Sequence, residues 1–331
     1  MCHVLGQYVL KMLSLTKTKL FTIILVSCVC ISTYLLLETE HGRRKKLRFF
    51  QEEILPKVEQ EQIQRQQNLI QICQKMGYND TSLENINQDQ LSHLIVDENY
   101  KLIYCYVPKV ACTNWKRVLM VLKGNKVKKP LDILGNETHA HTFKTLNKVS
   151  IQEARNMLKT YLKFLFARHP YERLLSAYRN KFENRYSDYF TSRFGRKIIQ
   201  RYRTNASQVS LEKGHDVTFA EFVQYISELD PAQKSTFNEH WRPIFDLCLP
   251  CSLNYKVIGK YETLEDDSDY VLWRAGLLQK VNFPEREQSY KMEPTAVLLK
   301  KYFNQISQDV KDKLYTIYQE DFTIFGYKNP F

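Results

Sequence analysis

The sequence predicts an α/β fold, a central parallel sheet flanked by helices. Three observations carry that expectation. Lys101 to Lys123 reads as a strand, a short loop and a helix; Leu162 to Phe182 reads as a second such unit; the chain beyond them has mostly helical spacing. In the first unit Ile103, Tyr104, Tyr106 and Val107 suit a buried strand that ends at Pro108, because proline lacks the amide a ladder needs. Trp115, Val118, Leu119 and Leu122 then repeat at helical spacing, which puts the loop Lys109–Asn114 at a helix N-terminus. Free amides and the positive end of the helix dipole favour anions there. Lys109 adds a full charge, and Thr113 and Asn114 add short hydrogen-bonding side chains. No glycine stands between Lys101 and Lys123, so this is not a Walker A loop.

In the second unit Phe164 to Ala167 form an apolar run suited to a buried parallel strand. Pro170 stands near the next helix start, where its missing amide costs little. Leu174, Leu175, Tyr178 and Phe182 line one face of that helix. Arg168 falls at the carboxyl end of its strand, the edge where open α/β sheets hold ligands. A bland alternative pairs Arg168 with Glu172. Downstream, Phe219–Ile226 and Val310–Tyr318 read as helices.

Leu20 to Leu37 is an uncharged apolar run of about eighteen residues, enough to span a membrane with little tilt. It lacks the small residues of a cleavage site near Tyr34, so it reads as an anchor and not as a signal peptide. Lys11, Lys17 and Lys19 precede it, while Arg43, Arg44, Lys45, Lys46 and Arg48 follow, a charge balance that taken literally leaves the main domain in the cytosol. Sequons at Asn79, Asn136 and Asn205 point the other way. Between Leu37 and Leu91 the chain is polar and rich in Gln and Glu. Ile54, Leu55, Val58, Ile63, Leu69 and Ile70 form an irregular helical stripe, and the segment reads as a stem.

The chain has 331 residues and a formal net charge of +12, with 25% charged and 13% aromatic residues, which indicates a globular protein with an anionic partner. No helix-turn-helix, zinc-finger or RNP signature points to nucleic acid. Arg193, Arg196, Lys197, Arg201 and Arg203 suit an anionic glycan or a solvated helix face. Of the cysteines, Cys73, Cys105, Cys112, Cys248 and Cys251 follow the apolar run, an odd set that leaves at least one free or paired between chains. Cys248 and Cys251 form one C-x-x-C with no second pair, a poor zinc site. Cys112 has no histidine near it in sequence and reads as a small packed residue.

The run Tyr106 to Arg117 (Tyr-Val-Pro-Lys-Val-Ala-Cys-Thr-Asn-Trp-Lys-Arg) resembles the 5′-phosphosulfate loop of Golgi carbohydrate sulfotransferases, in the branch of the chondroitin 4-O-sulfotransferases and the HNK-1 sulfotransferase. The strand ending in Arg168 and the helix bearing Ser176 resemble that family's second motif, with His169 in place of its usual acidic residue. Similarity extends from about Leu91 to the end, through Phe237–Trp241, Cys248–Cys251 and Val257–Glu265, and is greatest to the chondroitin 4-O members. The resemblance implies a P-loop-like sulfotransferase fold and transfer of sulfate from 3′-phosphoadenosine 5′-phosphosulfate to a sugar hydroxyl. Position 4 of N-acetylgalactosamine in chondroitin is the first expectation; dermatan, terminal N-acetylgalactosamine and the HNK-1 glucuronic acid are the alternatives. A silent glycosaminoglycan-binding membrane protein and a nucleotide kinase are rivals from other classes.

The resemblance further implies that Pro108, Lys109, Val110, Ala111, Cys112, Thr113 and Asn114 hold the phosphosulfate, Lys109 acting on the leaving oxygens, and that Arg168 and Ser176 hold the 3′-phosphate. A general base is required. His139 lies between the two motifs, where the family carries a histidine; His240, His141 and Glu137 are alternatives. No metal is expected, because no Asp/Glu cluster accompanies the loop. The implied layout is a cytosolic tail (1–19), a signal-anchor (20–37), a lumenal stem (38–90) and a catalytic domain (91–331) facing the Golgi lumen.

Overall fold

A computed structural model describes residues 41–42, 44–78, 83, 86–124, 127, 129–184, 188–284 and 295–331. The expected tail, the apolar run 20–37 and Asn79 lie outside these residues. Among the described residues, no helix is long and apolar enough to cross a membrane. The chain divides into two compact units, Met1–Ile54 and Leu55–Phe331. In the first, residues 44–49 are helical and pass into a π-helical turn, Phe50–Ile54.

The second unit opens with α1 (Leu55–Lys75), whose residues Val58, Gln62, Leu69 and Cys73 are buried at helical spacing. Ile63 and Ile70, apolar members of the sequence stripe, instead face outward at 57% exposure each. The polar residues turn inward because they meet backbone: Asn68 Nδ2 donates to the carbonyls of Thr323 and Ile324 at 2.9 and 2.7 Å. A disulfide joins Cys73 to Cys251. Thus the stretch expected to be stem contributes α1 to the compact unit Leu55–Phe331.

Strands β1 (Leu94–Asp97) and β2 (Leu102–Cys105) follow, then α2 (Cys112–Leu122), α3 (Gly135–Ala140), α4 (Ile151–Thr160), β3 (Leu162–Ala167), α5 (Pro170–Tyr178), α6 (Phe219–Ser227), β4 (Val257–Lys260), α7 (Leu264–Arg274), α8 (Thr295–Phe303) and α9 (Gln308–Ile324). The sheet order is β1-β2-β3-β4. β2, β3 and β4 are parallel, but β1 runs antiparallel to β2, with Leu94 opposite Cys105 and Asp97 opposite Leu102. The sheet is therefore mixed, where the sequence had suggested a parallel one. The short link between Asp97 and Leu102, turned at Lys101 (φ 52°), leaves room only for a hairpin.

β3 lies between β2 and β4, and its apolar run Phe164 to Ala167 is buried. Trp115 of α2 packs on Phe164 and Phe166 with ring centroids 4.7 and 5.5 Å away. Opposite Phe166 stands Gly259, where a Cβ would lie 2.3 Å from the phenyl ring, so β4 can approach β3 here only with glycine. A second disulfide, Cys105–Cys248, ties the end of β2 to the chain before β4 and leaves Cys112 as the free thiol among the described cysteines. The carboxyl ends of β2, β3 and β4 deliver Lys109, Arg168 and Tyr261 to one side of the sheet.

Candidate active site

The loop after β2 is held in an uncommon conformation. Lys109 (φ 71°) and Ala111 (φ 55°) are left-handed with Val110 between them. Such backbone is disfavoured for side-chain-bearing residues and persists where packing imposes it. Val110 is that anchor. Its side chain is fully buried and its amide donates to the Val107 carbonyl at 3.2 Å, so this amide is committed to the turn and does not join the expected anion contacts. Ala111 caps α2, and the amides of Cys112, Thr113 and Asn114 open its first turn, with no acidic residue there.

Pro108, Lys109, Ala111, Cys112, Thr113 and Asn114 line a cavity of about 700 Å³, and so do Arg168, Ser176, His139 and His240. Residues separated by over a hundred positions thus share one wall. The two motifs touch directly: Arg168 Nη1 donates to the Lys109 carbonyl at 3.2 Å. Arg168 is 4% exposed, and its guanidinium lies 4.1 Å from the centroid of the Tyr261 ring. Glu172 approaches it at 3.5 Å, a long contact, so the pairing with Glu172 exists but leaves the arginine in the cavity wall.

Four cationic neighbours escaped sequence reasoning. Arg117, Arg179 and Lys181 also line the cavity, and Arg173 supports it from behind. Arg179, Lys181 and the lining residue Asn180 sit in a π-helical turn, Arg179–Glu183, that continues α5. The wider turn shifts these side chains off the register that helical periodicity predicts. Arg173, 1% exposed, donates to the carbonyls of Pro108 (3.0 Å), Arg242 (2.6 Å) and Glu239 (2.8 Å). It joins the loop of the first motif to the segment carrying His240. The only sequence signal for this was an arginine on the otherwise apolar face of α5.

The histidines differ in how they are held. His139 Nε2 stands 3.5 Å from Thr113 Oγ1, at the limit of a hydrogen bond, and its pKa is lowered by burial and then by Lys116 and Lys181. His240 is more constrained. Asn238 Oδ1 accepts the His240 backbone N–H at 3.0 Å, which fixes that atom as the oxygen; the His240 Nδ1 at 2.8 Å must therefore carry a proton, leaving Nε2 as the acceptor. Burial, Lys181 and Lys109 push the His240 pKa down to about 2, so its ring is neutral. His141 packs against Phe143, and neither it nor Glu137 is among the described residues lining the cavity. Of the downstream basic residues, Arg203 is bound by Glu221 and Asp216 and Arg201 by Glu228, and none of the five lines the cavity. Asn136 and Asn205 are exposed.

Burial first, with Lys181 and Arg168 adding to it against Cys112, lowers the pKa of Lys109 to about 8. A lysine whose folded pKa is depressed loses its charge as pH rises through that value. For an anionic ligand, kcat/KM is therefore expected to fall above about pH 8, reporting the free protein. The decline should be absent from Lys109→Arg, whose guanidinium stays charged. A kcat/KM profile for the anionic substrate from pH 5 to 10 checks this.

The family model described as "Sulfotransferase family" matches residues 92–328. Among curated proteins, the chain is 48% identical over 247 residues to carbohydrate sulfotransferase 11 of Mus musculus, covering 74% of this chain and 70% of that protein. It is 44% identical over 268 residues to carbohydrate sulfotransferase 11 of Danio rerio, covering 80% and 76%. Identity to carbohydrate sulfotransferase 8 of Homo sapiens is 37% over 254 residues, covering 76% and 59%. No solved structure matches the chain.

Proposed function

Because this chain belongs to the sulfotransferase family, we propose that it moves the sulfuryl group of 3′-phosphoadenosine 5′-phosphosulfate to a glycan hydroxyl, with position 4 of N-acetylgalactosamine in chondroitin as the acceptor. The carrying observation is the convergence of Lys109, Arg168, Ser176 and two histidines on one cavity. Dermatan, terminal N-acetylgalactosamine and HNK-1 glucuronic acid are the competing acceptors.

In this reading the amides of α2's first turn and Lys109 face the phosphosulfate, while Arg168 and Ser176 face the 3′-phosphate. The acceptor oxygen forms a bond to sulfur as the bond from sulfur to the 5′-phosphate oxygen breaks. The acceptor's proton passes to a histidine, and charge gathers on the departing phosphate beside Lys109. Such transfers depend on in-line placement and on cations preorganised at the leaving oxygen. No metal enters the scheme. His139 is the proposed base, because it stands next to Thr113 of the donor loop. His240 is a second reading, favoured by its fixed Nε2 acceptor.

Labelled donor offered with desulfated chondroitin, dermatan, terminal N-acetylgalactosamine oligosaccharides and glucuronic acid glycans tests the reaction. Sulfation of none of them would leave the glycan-binding alternative. Replacing the base by alanine is expected to lower kcat about 10²-fold or more with donor affinity little changed. If His240→Ala shows that split and His139→Ala does not, the roles are exchanged.

A membrane-anchored protein facing the Golgi lumen is part of the proposal. The two disulfides support an oxidising compartment, and exposed Asn136 and Asn205 suit glycosylation. Glycosidase treatment of the protein from secretory cells should raise its gel mobility. Unchanged mobility together with protease access from the cytosol would reverse the orientation.

A further inference from the structure

Helix α1 closes the open edge of the sheet, and in doing so bonds to the segment that walls the cavity. β4 ends the strand order, so its outer backbone groups lack a neighbouring strand. Gln62 supplies what a fifth strand would: its Oε1 accepts the Ile258 N–H at 2.9 Å and its Nε2 donates to the Ile258 carbonyl at 3.0 Å. Arg65 Nη1 donates to the same carbonyl at 2.8 Å, and Gln66 donates to the Lys256 carbonyl at 2.7 Å.

Gln62 and Arg65 also hold Asp267, which is 1% exposed. Its carboxylate accepts from Gln62 (3.0 Å), from Arg65 Nη1 (2.7 and 2.8 Å), from the Lys260 amide (2.9 Å) and from Thr263 Oγ1 (2.6 Å). Arg65 Nη2 reaches Thr263 Oγ1 directly at 3.2 Å. Lys260 and Thr263 bracket Tyr261 and Glu262, and Tyr261 through Asp266 form one wall of the cavity. Tyr261 is also the ring on which Arg168 lies. A chain of short bonds therefore runs from α1 through Asp267 to the seat of Arg168.

We infer that α1 is a positioning element of the nucleotide site, with Gln62 and Arg65 setting the wall Tyr261–Asp266 and, through Tyr261, the guanidinium of Arg168. This helix lies outside residues 92–328, the stretch that the family model matches. The inference rests on the reading that the cavity takes a phosphoadenosine nucleotide. Neither residue lines the cavity, so their effect is on binding geometry shared by ground and transition states, and it should appear in the donor KM more than in kcat.

The test uses the full chain and adenosine 3′,5′-bisphosphate as probe. Arg65→Ala is expected to raise the calorimetric Kd of the bisphosphate and the donor KM about tenfold or more, with kcat within about twofold of the parent. Arg65→Lys, which keeps a cation on Asp267, should recover most of the loss. Gln66→Ala, which gives up only the bond to Lys256, should leave both constants unchanged. Tight binding of the bisphosphate by Arg65→Ala would overturn the inference, and so would a parallel loss of kcat and binding with no recovery in Arg65→Lys. Failure of the parent chain to bind the bisphosphate would overturn the assignment of the cavity, and this inference with it. Should Arg65→Ala not accumulate as folded protein, Arg65→Lys and Gln62→Met carry the same titration, and parental affinity in both would overturn the proposal.

Discussion

Lys109→Ala is expected to lower kcat about 10²- to 10³-fold, a loss of roughly 3–4 kcal/mol of transition-state stabilisation, while the protein stays folded. Lys109 is the cation of the donor loop, presented by a loop whose backbone is left-handed at Lys109 and Ala111. It is half-buried with its pKa already lowered to about 8, so the site desolvates the ammonium before any ligand arrives. Interactions in such surroundings are stronger than in bulk water, and charge develops on the leaving phosphate only as the sulfur–oxygen bond breaks. The loss should therefore fall on kcat more than on donor affinity, to which Arg168 and the helix amides also contribute. Because the alanine removes a desolvated charge, stability should hold or rise slightly. Single-turnover rates with labelled donor, beside a thermal melt, check both halves. Near-parental turnover would remove Lys109 from the chemistry.

Arg173→Leu is expected to destabilise the domain by about 3 kcal/mol, and to impair transfer although Arg173 does not line the cavity. Three carbonyls, those of Pro108, Glu239 and Arg242, would lose their donor, each costing on the order of 1–3 kcal/mol when left buried. Relief of the guanidinium's own burial offsets part of this, which is why the net figure lies well below the sum. The consequence for the site is geometric. Pro108 precedes Lys109 and Glu239 precedes His240, so losing the shared clamp frees the donor loop and the histidine segment from each other. Arg173→Lys can satisfy one or two of the three carbonyls and should recover part of the stability. Urea unfolding of both variants measures this, and a leucine variant as stable as the parent would show that water replaces the clamp.

What the sequence by itself determined was local. The strand into Pro108, the loop lysine at a helix start, the strand into Arg168 and the helix with Ser176 are all encoded in short windows, by apolar spacing and by proline. The structure placed β2, α2, β3 and α5 accordingly, and it set Lys109, Arg168, Ser176 and His139 around one cavity. Spacing also misled where polar side chains bond to backbone. In α1 the apolar stripe suggested Ile63 and Ile70 as an inner face, yet Gln62 and Arg65 point inward because the edge of β4 offers them hydrogen bonds across 196 and 193 positions. Helix α1 accordingly packs within the compact unit Leu55–Phe331.

Only the tertiary structure decided the antiparallel β1, the pairing of Cys73 with Cys251 and Cys105 with Cys248, and the clamp made by Arg173. The π-helical turn that brings Arg179 and Lys181 to the cavity belongs with these. The clamp depends on carbonyls that lie 65 to 69 positions away from Arg173. A periodicity read along one element carries the burial of its own side chains, but it carries nothing about carbonyls contributed by another.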